Sequence, residues 1–364
     1  MNQQQLQPYL NLIQQLLDLL PSLSEGEGQG VRLINNLLQQ NQELIDENLL
    51  QIMVALAKQM EEEGNNQNAQ FLIDLAQQLA ELITVKMPMP QYSQEDYHNF
   101  LMETLQLIVE NNGNPRIIYP YWQQNQQFLD EYLLQYLTNW YQSVIETADS
   151  ETQQYLAAIF NELGNLINQF PLGKRRINLE IGIACYQESL KVRTFDAFPE
   201  DWAMTQNNLA NAYSDRIEGE RRENLERAIA CYLESLKVRT FEAFPEDWAM
   251  TQNNLANAYC DRIEGSRRDN LEAAIACYLE SLKVYTFDAF PYEWAMSQNN
   301  LGLAYCDRIE GSRRDNLERA IACFQESLKV RTFDAFPEQW AMSQNNLGEA
   351  YCDRIEGSRR DNLE

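Results

Sequence analysis

A stretch of 46 residues that repeats along the second half of the chain limits its fold more than any other feature. The text DWAMTQNNLANAYSDRIEGERRENLERAIACYLESLKVRTFEAF starts at Asp201 and returns with few changes from Asp247 and Glu293, and in part from Gln339. One tryptophan marks each copy: Trp202, Trp248, Trp294 and Trp340. A period of this size indicates stacked copies of one supersecondary unit. Each copy cannot bury its own apolar face, so neighbouring copies must cover it.

Each copy carries the apolar spacing of two helices. The first half has ring-bearing or aliphatic residues on one helical face, namely Trp202, Leu209, Tyr213 and Ile217. The second half shows the same spacing in Leu225, Ile229, Tyr232 and Leu236. Gly219 offers the left-handed conformation that ends a helix. Pro245 cannot continue a helix, and we expect Phe241 and Phe244 to lie under the joint between copies.

The unit resembles the tetratricopeptide repeat. The match is Asn208-Leu209-Ala210-Asn211-Ala212-Tyr213 in the first helix, followed by Ala228, Tyr232 and Ser235 in the second, where that family has small, aromatic and small residues. The family period is about 34 residues, so the helices and joints are expected to be longer here. The resemblance implies an all-α fold, a right-handed solenoid of helical hairpins.

The long period is also similar to that of bacterial proteins which carry a caspase-like (CHAT) peptidase domain after their repeats. The phrases AFPEDWA and NNLANAYSDRI carry this resemblance, and it extends upstream through residues 170–173 and 178–180. The sequence contains no caspase-like domain and stops at Glu364, where a second helix is expected to begin. We interpret it as a fragment or an engineered piece of a longer protein.

The register divides the chain into two predicted domains. Residues 155–200 form a degenerate copy, because Leu163-Gly164 aligns with Leu209-Ala210. Three full copies and a truncated one follow, at 201–246, 247–292, 293–338 and 339–364. Together they predict a solenoid over 151–364. Residues 1–150 show no such period, and we expect an irregular α-helical region that covers the first apolar face of the solenoid.

Within residues 1–150 the apolar spacing predicts a series of separate helices. They cover 1–20 (starting near Pro8), 31–40, 46–63, 68–85, 96–112 and 128–147. The Ser-, Glu- and Gly-rich segment 22–30 predicts a loop. Met87-Pro88-Met89-Pro90 predicts a rigid stop and an early boundary.

The charge of the chain bears on its partners. Lys and Arg number 28 against 54 Asp and Glu, which gives a net charge of −26. Nucleic acids and anionic membrane surfaces require a positive footprint, so neither is an expected partner. The acidic residues are interpreted as solvated helix surfaces, with a basic partner as the alternative. The sequence has no signal peptide and no apolar run of membrane length.

The cysteines recur with the repeat and are interpreted as packing residues. They are Cys185, Cys231, Cys277 and Cys323 in the second helices, and Cys260, Cys306 and Cys352 in the first. No pair has close metal-ligand spacing, and His98 is the single histidine, which we expect on the surface. We therefore predict no metal, cofactor or catalytic site, and reduced thiols in a cytoplasm.

The candidate binding site follows from the resemblance, since first helices of tetratricopeptide repeats line a groove that binds a peptide or protein. The groove positions correspond here to Asn207, Asn253, Asn299 and Asn345, and to Asn211, Asn257, Leu303 and Glu349. Amides donate and accept hydrogen bonds, which suits a peptide backbone. We hypothesise that Leu303 and Glu349 tune what binds, with neutral drift as the alternative. A neighbouring row, Asn208 and its equivalents, is interpreted as bonding backbone between helices.

The sequence therefore predicts a non-enzymatic protein-interaction scaffold, the sensing or recruiting arm of a larger regulatory protein. One alternative is the regulatory part of a CHAT-type cysteine peptidase whose catalytic domain is missing here, and another is a structural spacer without a ligand. The recurring Asp-Arg pairs, such as Asp215-Arg216, predict salt links between neighbouring copies or to the Arg-Arg of the loop. An uncovered apolar face near Leu347 and Tyr351 predicts end-to-end self-association.

Overall fold

The computed structural model describes residues 3–19, 34, 37–38, 41, 44, 47–62, 64–86 and 92–354. Over these residues it consists of helices and turns, without a β-strand, so the predicted all-α fold is confirmed. The chain divides into two compact units, Met1–Gln91 and Tyr92–Glu364. The predicted loop over 22–30 and the last residues of the truncated copy, 355–364, lie outside the described residues, as does most of the predicted helix over 31–40.

The first unit contains the helices α1 (Gln3–Asp18), α2 (Glu47–Glu62) and α3 (Asn66–Lys86). Aliphatic side chains such as Leu16, Met53 and Leu72 form its core. The predicted start of α1 near Pro8 is wrong, since Pro8 lies inside the helix. Pro8 is the sixth residue of α1, so its ring removes one helical hydrogen bond, to the carbonyl oxygen of Gln4, and the other bonds of the helix remain.

The second unit begins with α4 (Gln94–Glu110), α5 (Pro115–Gln124), a 3₁₀ turn (Gln126–Phe128) and α6 (Glu131–Ile145). The sequence analysis missed α5, because Pro120 interrupts its aromatic run. Two start signals outweigh that proline: Asn114 caps the first turn through its side chain, and Pro115 occupies the first helical position.

Among the described residues, nine further helices form the repeats, two in each of the first four copies and one in the truncated copy. The degenerate copy consists of α7 (Ser150–Gln169) and α8 (Arg175–Val192). The later copies consist of α9 (Pro199–Asp215), α10 (Arg221–Ser235), α11 (Pro245–Asp261), α12 (Arg267–Ser281), α13 (Pro291–Asp307), α14 (Arg313–Leu328) and α15 (Pro337–Cys352). Odd numbers are the first helices of their copies and even numbers the second helices.

Each of the first helices α9, α11 and α13 packs against the second helix of its own copy and against the second helix of the copy before, and α15 packs against α14. First helices of adjacent copies also contact each other, and more extensively than second helices of adjacent copies do. This arrangement confirms the predicted solenoid of helical hairpins.

The turn inside each hairpin differs from the prediction in one respect. Helix α9 ends at Asp215, and Gly219 lies four residues further on with φ of 73°. This left-handed glycine therefore reverses the chain inside the turn instead of ending the helix. Ile217 falls in the same turn and is exposed, so its predicted place on the buried helical face is wrong.

The division after Gln91 differs from the predicted domain boundary at residue 150. Side chains of α4 to α6, including Tyr97, Trp122 and Leu137, share one core with Phe160 of α7 and Ile181 of α8. Helices α4 to α6 of the region predicted to cover the first apolar face of the solenoid are thus continuous with the degenerate copy.

Tryptophan side chains fill the joints between the middle copies, as predicted. Trp248 and Trp294 are each 9% exposed and cluster with Tyr285. Trp202 and Trp340, nearer the ends of the stack, are only half-buried. Phe241 meets the edge of the Trp248 ring, with centroids 5.3 Å apart, yet it is exposed. The expectation that Phe241 lies under the joint is therefore wrong, because the indole occupies that space.

Replacing Trp248 with alanine removes the buried ring from such a joint. We expect the free energy of unfolding to fall by about 3–5 kcal/mol, measured by urea denaturation followed by circular dichroism. Phe241→Ala removes the exposed neighbour and should cost less than about 1 kcal/mol. Equal losses in the two variants would contradict the assignment of the joint to the indole.

Candidate partner-binding site

Arginines at the ends of the first helices join each copy to the one before. Nε and Nη2 of Arg262, just after α11, donate to the two carboxylate oxygens of Glu226 on α10, each at 2.7 Å. The Asn270 amide in the same turn donates to the carbonyl oxygen of Glu264 at 2.9 Å. The ion pair recurs as Arg216–Glu180, Arg308–Glu272 and Arg354–Glu318. Such bidentate geometry fixes both distance and orientation between copies.

A second set of ion pairs runs beside the first. Arg221 at the start of α10 lies 3.0 Å from Asp261 at the end of α11. The equivalents are Arg175–Asp215, Arg267–Asp307 and Arg313–Asp353. The predicted salt links between copies are thus confirmed. These exposed pairs contribute about 0–1 kcal/mol each, so their main effect is on the register between copies.

In the first set, the hydrogen bond from Arg308 lowers the pKa of Glu272.

One of the two predicted asparagine rows lies mostly inside the structure. Asn207, Asn253 and Asn299 are each 1% exposed. A hydroxyl of the following first helix donates to each amide oxygen: Thr251 to Asn207 at 3.2 Å, Ser297 to Asn253 at 2.9 Å and Ser343 to Asn299 at 3.0 Å. The expected surface position of these three residues is therefore wrong, because the next first helix packs over them.

Asn345, the fourth member of that row, is exposed. It lies on α15, the last helix that the structure describes, and its amide donates to Glu349 at 3.1 Å. The row therefore reaches the surface only at this point among the described copies. Glu349 is exposed as well.

The second predicted row lies on the surface. An asparagine of this row joins a tyrosine of its own copy to an asparagine of the next copy. Asn211 is exposed, and its Oδ1 accepts from the Tyr232 hydroxyl at 2.6 Å and from the Asn254 amide of the next copy at 3.2 Å. We call this arrangement the tyrosine–amide bridge. It recurs as Tyr278–Asn257–Asn300 and Tyr186–Asn165–Asn208. Asn208 and its equivalents thus bond a side chain of the preceding copy, not backbone as interpreted from the sequence.

The bridge is absent from the copy at 293–338, where two residues change together. Leu303 replaces the accepting asparagine, and Phe324 replaces the donating tyrosine. Gly302 beside them leaves room for the ring, since a Cβ there would lie 2.6 Å from Phe324. The Asn346 amide donates to Asn299 instead, at 3.2 Å. Leu303 is left as an aliphatic side chain, 43% exposed, in an otherwise polar row.

Further apolar rows are exposed, although the sequence analysis placed Ile217 on a buried helical face and Phe241 under a joint. They recur at the repeat period in the joints and turns: Phe195, Phe241, Phe287 and Phe333, and Ile217, Ile263 and Ile309. Leu233 and Leu279 are exposed on the second helices. Repetition of an apolar residue outside both helical faces was the signal that could have identified these rows.

Catalytic or metal chemistry has little support in the described residues. His98 is half-buried, with Nδ1 2.9 Å from the Tyr136 hydroxyl, so its predicted surface position is wrong. No group of three potential metal-ligating side chains of Asp, Glu, His or Cys occurs in the described ranges. None of the helices described is long and apolar enough to cross a membrane.

Six of the seven cysteines pack as predicted. Cys185 is buried, and five others are half-buried against the cores of their copies. Burial raises the pKa of Cys231, Cys277 and Cys323 to about 12. Cys352 is exposed, so the packing prediction is wrong for this residue.

Comparison with protein families matches residues 202–240 to a family described as tetratricopeptide repeat, TPR_10. The matched segment covers α9 and α10, which form one hairpin. Together with the repeated hairpin arrangement, the match supports a tetratricopeptide-like repeat protein. The chain has no match among curated proteins.

The tyrosine–amide bridge can be tested by copying the natural replacement. Tyr278→Phe and Asn257→Leu should each lower stability by about 1 kcal/mol, because each leaves a hydrogen-bonding group without its partner. The double variant reproduces the Phe324 and Leu303 pair and should cost less than the sum of the two. Urea unfolding of the four proteins gives the coupling energy. Strict additivity would contradict the bridge.

The accessible thiol provides a separate test. With a chromogenic disulfide reagent near pH 8, we expect Cys352 to react first and the other six thiols much more slowly, because burial disfavours their thiolates. Cys352→Ser should abolish the fast phase and leave the slow phases unchanged. A fast phase that survives this substitution would place another thiol at the surface.

Proposed function

We propose that this chain is a non-enzymatic scaffold that binds a protein or peptide partner on the exposed face of its first helices. The observation that carries the proposal is the surface row Asn211, Asn257, Leu303 and Glu349, which continues through four successive copies. The row lies on the first helices of the copies, and tetratricopeptide-like repeats generally bind proteins or peptides.

The two amides in this row are held in a fixed orientation. Each Oδ1 accepts two hydrogen bonds through the tyrosine–amide bridge. With the oxygen engaged, the Nδ2 groups of these exposed residues, Asn211 and Asn257, are the donors that the amides offer to a partner. Carbonyl groups of an extended peptide suit such donors, and fixing the amides beforehand reduces the entropy lost on binding.

The last two residues of the row favour a partner with a particular order of side chains. Leu303 offers apolar contact after the two amides, and Glu349 offers a carboxylate one copy further on. We therefore infer a partner with polar backbone contacts at one end, an apolar residue in the middle and a basic residue at the other end. The net charge of −26 favours a basic partner in the same way.

We also propose that the chain is part of a larger regulatory protein. The phrases AFPEDWA and NNLANAYSDRI support a sensing or recruiting arm of a larger regulatory protein. They equally support the second candidate, a regulatory part of a CHAT-type cysteine peptidase. Seven free cysteines favour a reducing compartment such as the cytoplasm.

End-to-end self-association through α15 also stays a proposal. Met342 on this helix is exposed, and Leu347 and Tyr351 are half-buried. An apolar face of this kind would gain contacts against a second copy of the chain.

Selection from a peptide display library on the immobilised chain tests the scaffold proposal. We expect enriched peptides to bind wild type and to lose affinity about tenfold or more in Leu303→Asn and in Glu349→Asn, because each variant removes one proposed contact. The control is the pair Leu233→Gln and Leu279→Gln on the second helices, where the chain itself has glutamine at Gln187 and Gln325. These control variants should bind as wild type does.

Either of two results would contradict the proposal. Peptides whose affinity depends on Leu233 or Leu279, and not on Leu303, would move the binding face to the second helices. A library that yields no specific peptide would favour the structural spacer.

A further inference from the structure

A buried arginine follows the second helix in three copies of the repeat. Arg193, Arg239 and Arg331 are all at least nine-tenths buried, whereas Tyr285 occupies this position in the remaining copy. In two copies a guanidinium Nη2 meets a carboxylate of the next first helix at 3.3 Å, in the pairs Arg193–Asp201 and Arg239–Asp247. A buried charge is costly without such a partner.

Arg331 has no such carboxylate. Gln339 stands where the other copies have Asp201 and Asp247. Nη1 of Arg331 donates to the Ser343 hydroxyl at 3.2 Å, and its Nε is buried without a hydrogen-bond partner. The side chain is 4% exposed and forms no ion pair with any acidic side chain of the described ranges.

Acidic residues close in sequence do not replace the missing partner. Asp334 and Glu338 flank the start of α15, but both are exposed. Their equivalents in an earlier copy, Asp196 and Glu200, are present beside Arg193 as well. That arginine nevertheless pairs with Asp201. Position 339 is therefore the one from which this fold supplies a counter-charge.

In the earlier copies, the position of the carboxylate that pairs with the equivalent arginine is open to solvent. The side chains of Asp201 and Asp247, which meet the equivalent arginines, are 46% and 47% exposed. Gln339 lies in the first turn of α15, which no side chain caps. Backbone N–H groups in a first turn lack helical partners and favour an anion.

An aromatic pair lies beside the same position. The rings of Tyr292 and Phe336 have centroids 5.4 Å apart, and Tyr292 is partly exposed. The Tyr292 phenol lies close enough to Arg331 to influence the guanidinium, whose pKa burial lowers. Tyr292 replaces a glutamate of the earlier copies, Glu200 and Glu246.

We propose that Arg331, Gln339 and the first turn of α15 form a binding site for a carboxylate group of a partner molecule. The carboxylate takes the place that Asp247 has beside Arg239, where it meets Nη2 of the guanidinium. The Gln339 amide is a further donor, and Tyr292 forms a side wall. An acidic side chain and a chain terminus offer the same chemistry.

The site is separate from the row of the proposed function. Glu349 lies ten residues beyond Gln339 on the same helix, which corresponds to about 15 Å along its axis. The inference therefore does not rest on that function. Substitutions at Leu303 or Glu349 should leave the carboxylate site unchanged.

Acetate is the probe that tests the site, with chloride at equal ionic strength as the reference. Hydrogen exchange of the amides in residues 337–352, measured by mass spectrometry, should slow several-fold in acetate, because a bound ligand opposes local opening. Helix α11 of the same chain is the internal control. Its arginine already has Asp247, so acetate should not change its exchange.

Two variants separate binding from folding. Arg331→Tyr introduces the residue that the chain already has at Tyr285, so it should fold and lose the acetate effect. Gln339→Asp supplies an internal carboxylate, so α15 should exchange slowly even without acetate, and acetate should add nothing. An acetate effect that persists in Arg331→Tyr would overturn the proposal. Equal exchange of α15 in acetate and chloride, or an equal acetate effect on α11, would overturn it as well.

Three short peptides then identify the source of the carboxylate. One has a glutamate as its only acid and an amidated end, one has only a free C-terminal carboxylate, and one has neither. Stronger protection of α15 by the first or the second assigns the site to side chains or to chain ends. Equal protection by the peptide without a carboxylate would overturn the proposal.

Discussion

Contacts between one hairpin and the next are what the repeat structure depends on. Apolar burial alone attracts hairpins without fixing their register, because it has little directional preference. Polar bonds supply the register at two levels. At the turns, Arg262 grips Glu226 of the previous copy through two nitrogen atoms. In the interior, a hydroxyl such as that of Thr251 meets Asn207 across the same junction. Buried bonds of this kind are costly to misalign.

The same contacts explain how much of the fold the sequence predicts. The period defines the copy, and the apolar spacing defines its two helices, so the solenoid of hairpins is predicted correctly. The sequence does not predict which of two neighbouring asparagines is buried. Asn207 and Asn211 are one helical turn apart and look alike in the sequence, yet the first is buried and the second exposed. Only the position of the following first helix distinguishes them.

Other differences arise where local pattern and tertiary packing disagree. The core that joins Tyr97 to Ile181 has no period, so the sequence could not place residues 92–150 with the repeats. The partnership of Leu303 with Phe324 joins residues 21 apart, and it becomes visible only when the two helices are paired. Leu303 differs from its equivalents in the sequence. The compensating loss of the tyrosine hydroxyl at Phe324 is visible only in the structure.

Comparison of equivalent arginines in successive copies indicates where a partner can bind. Most arginines of the repeats are engaged with acids of the neighbouring copy, as Arg221 is with Asp261. These pairs hold the stack together and leave the acid excess facing outward. Arg331 departs from this rule, since its acid is replaced by Gln339. The buried cation Arg331 therefore lies just before helix α15, and the exposed acid Glu349 lies near the end of this helix. A partner that meets both has to carry an acid and a base about 15 Å apart, a requirement that an uncharged or uniformly basic surface does not meet.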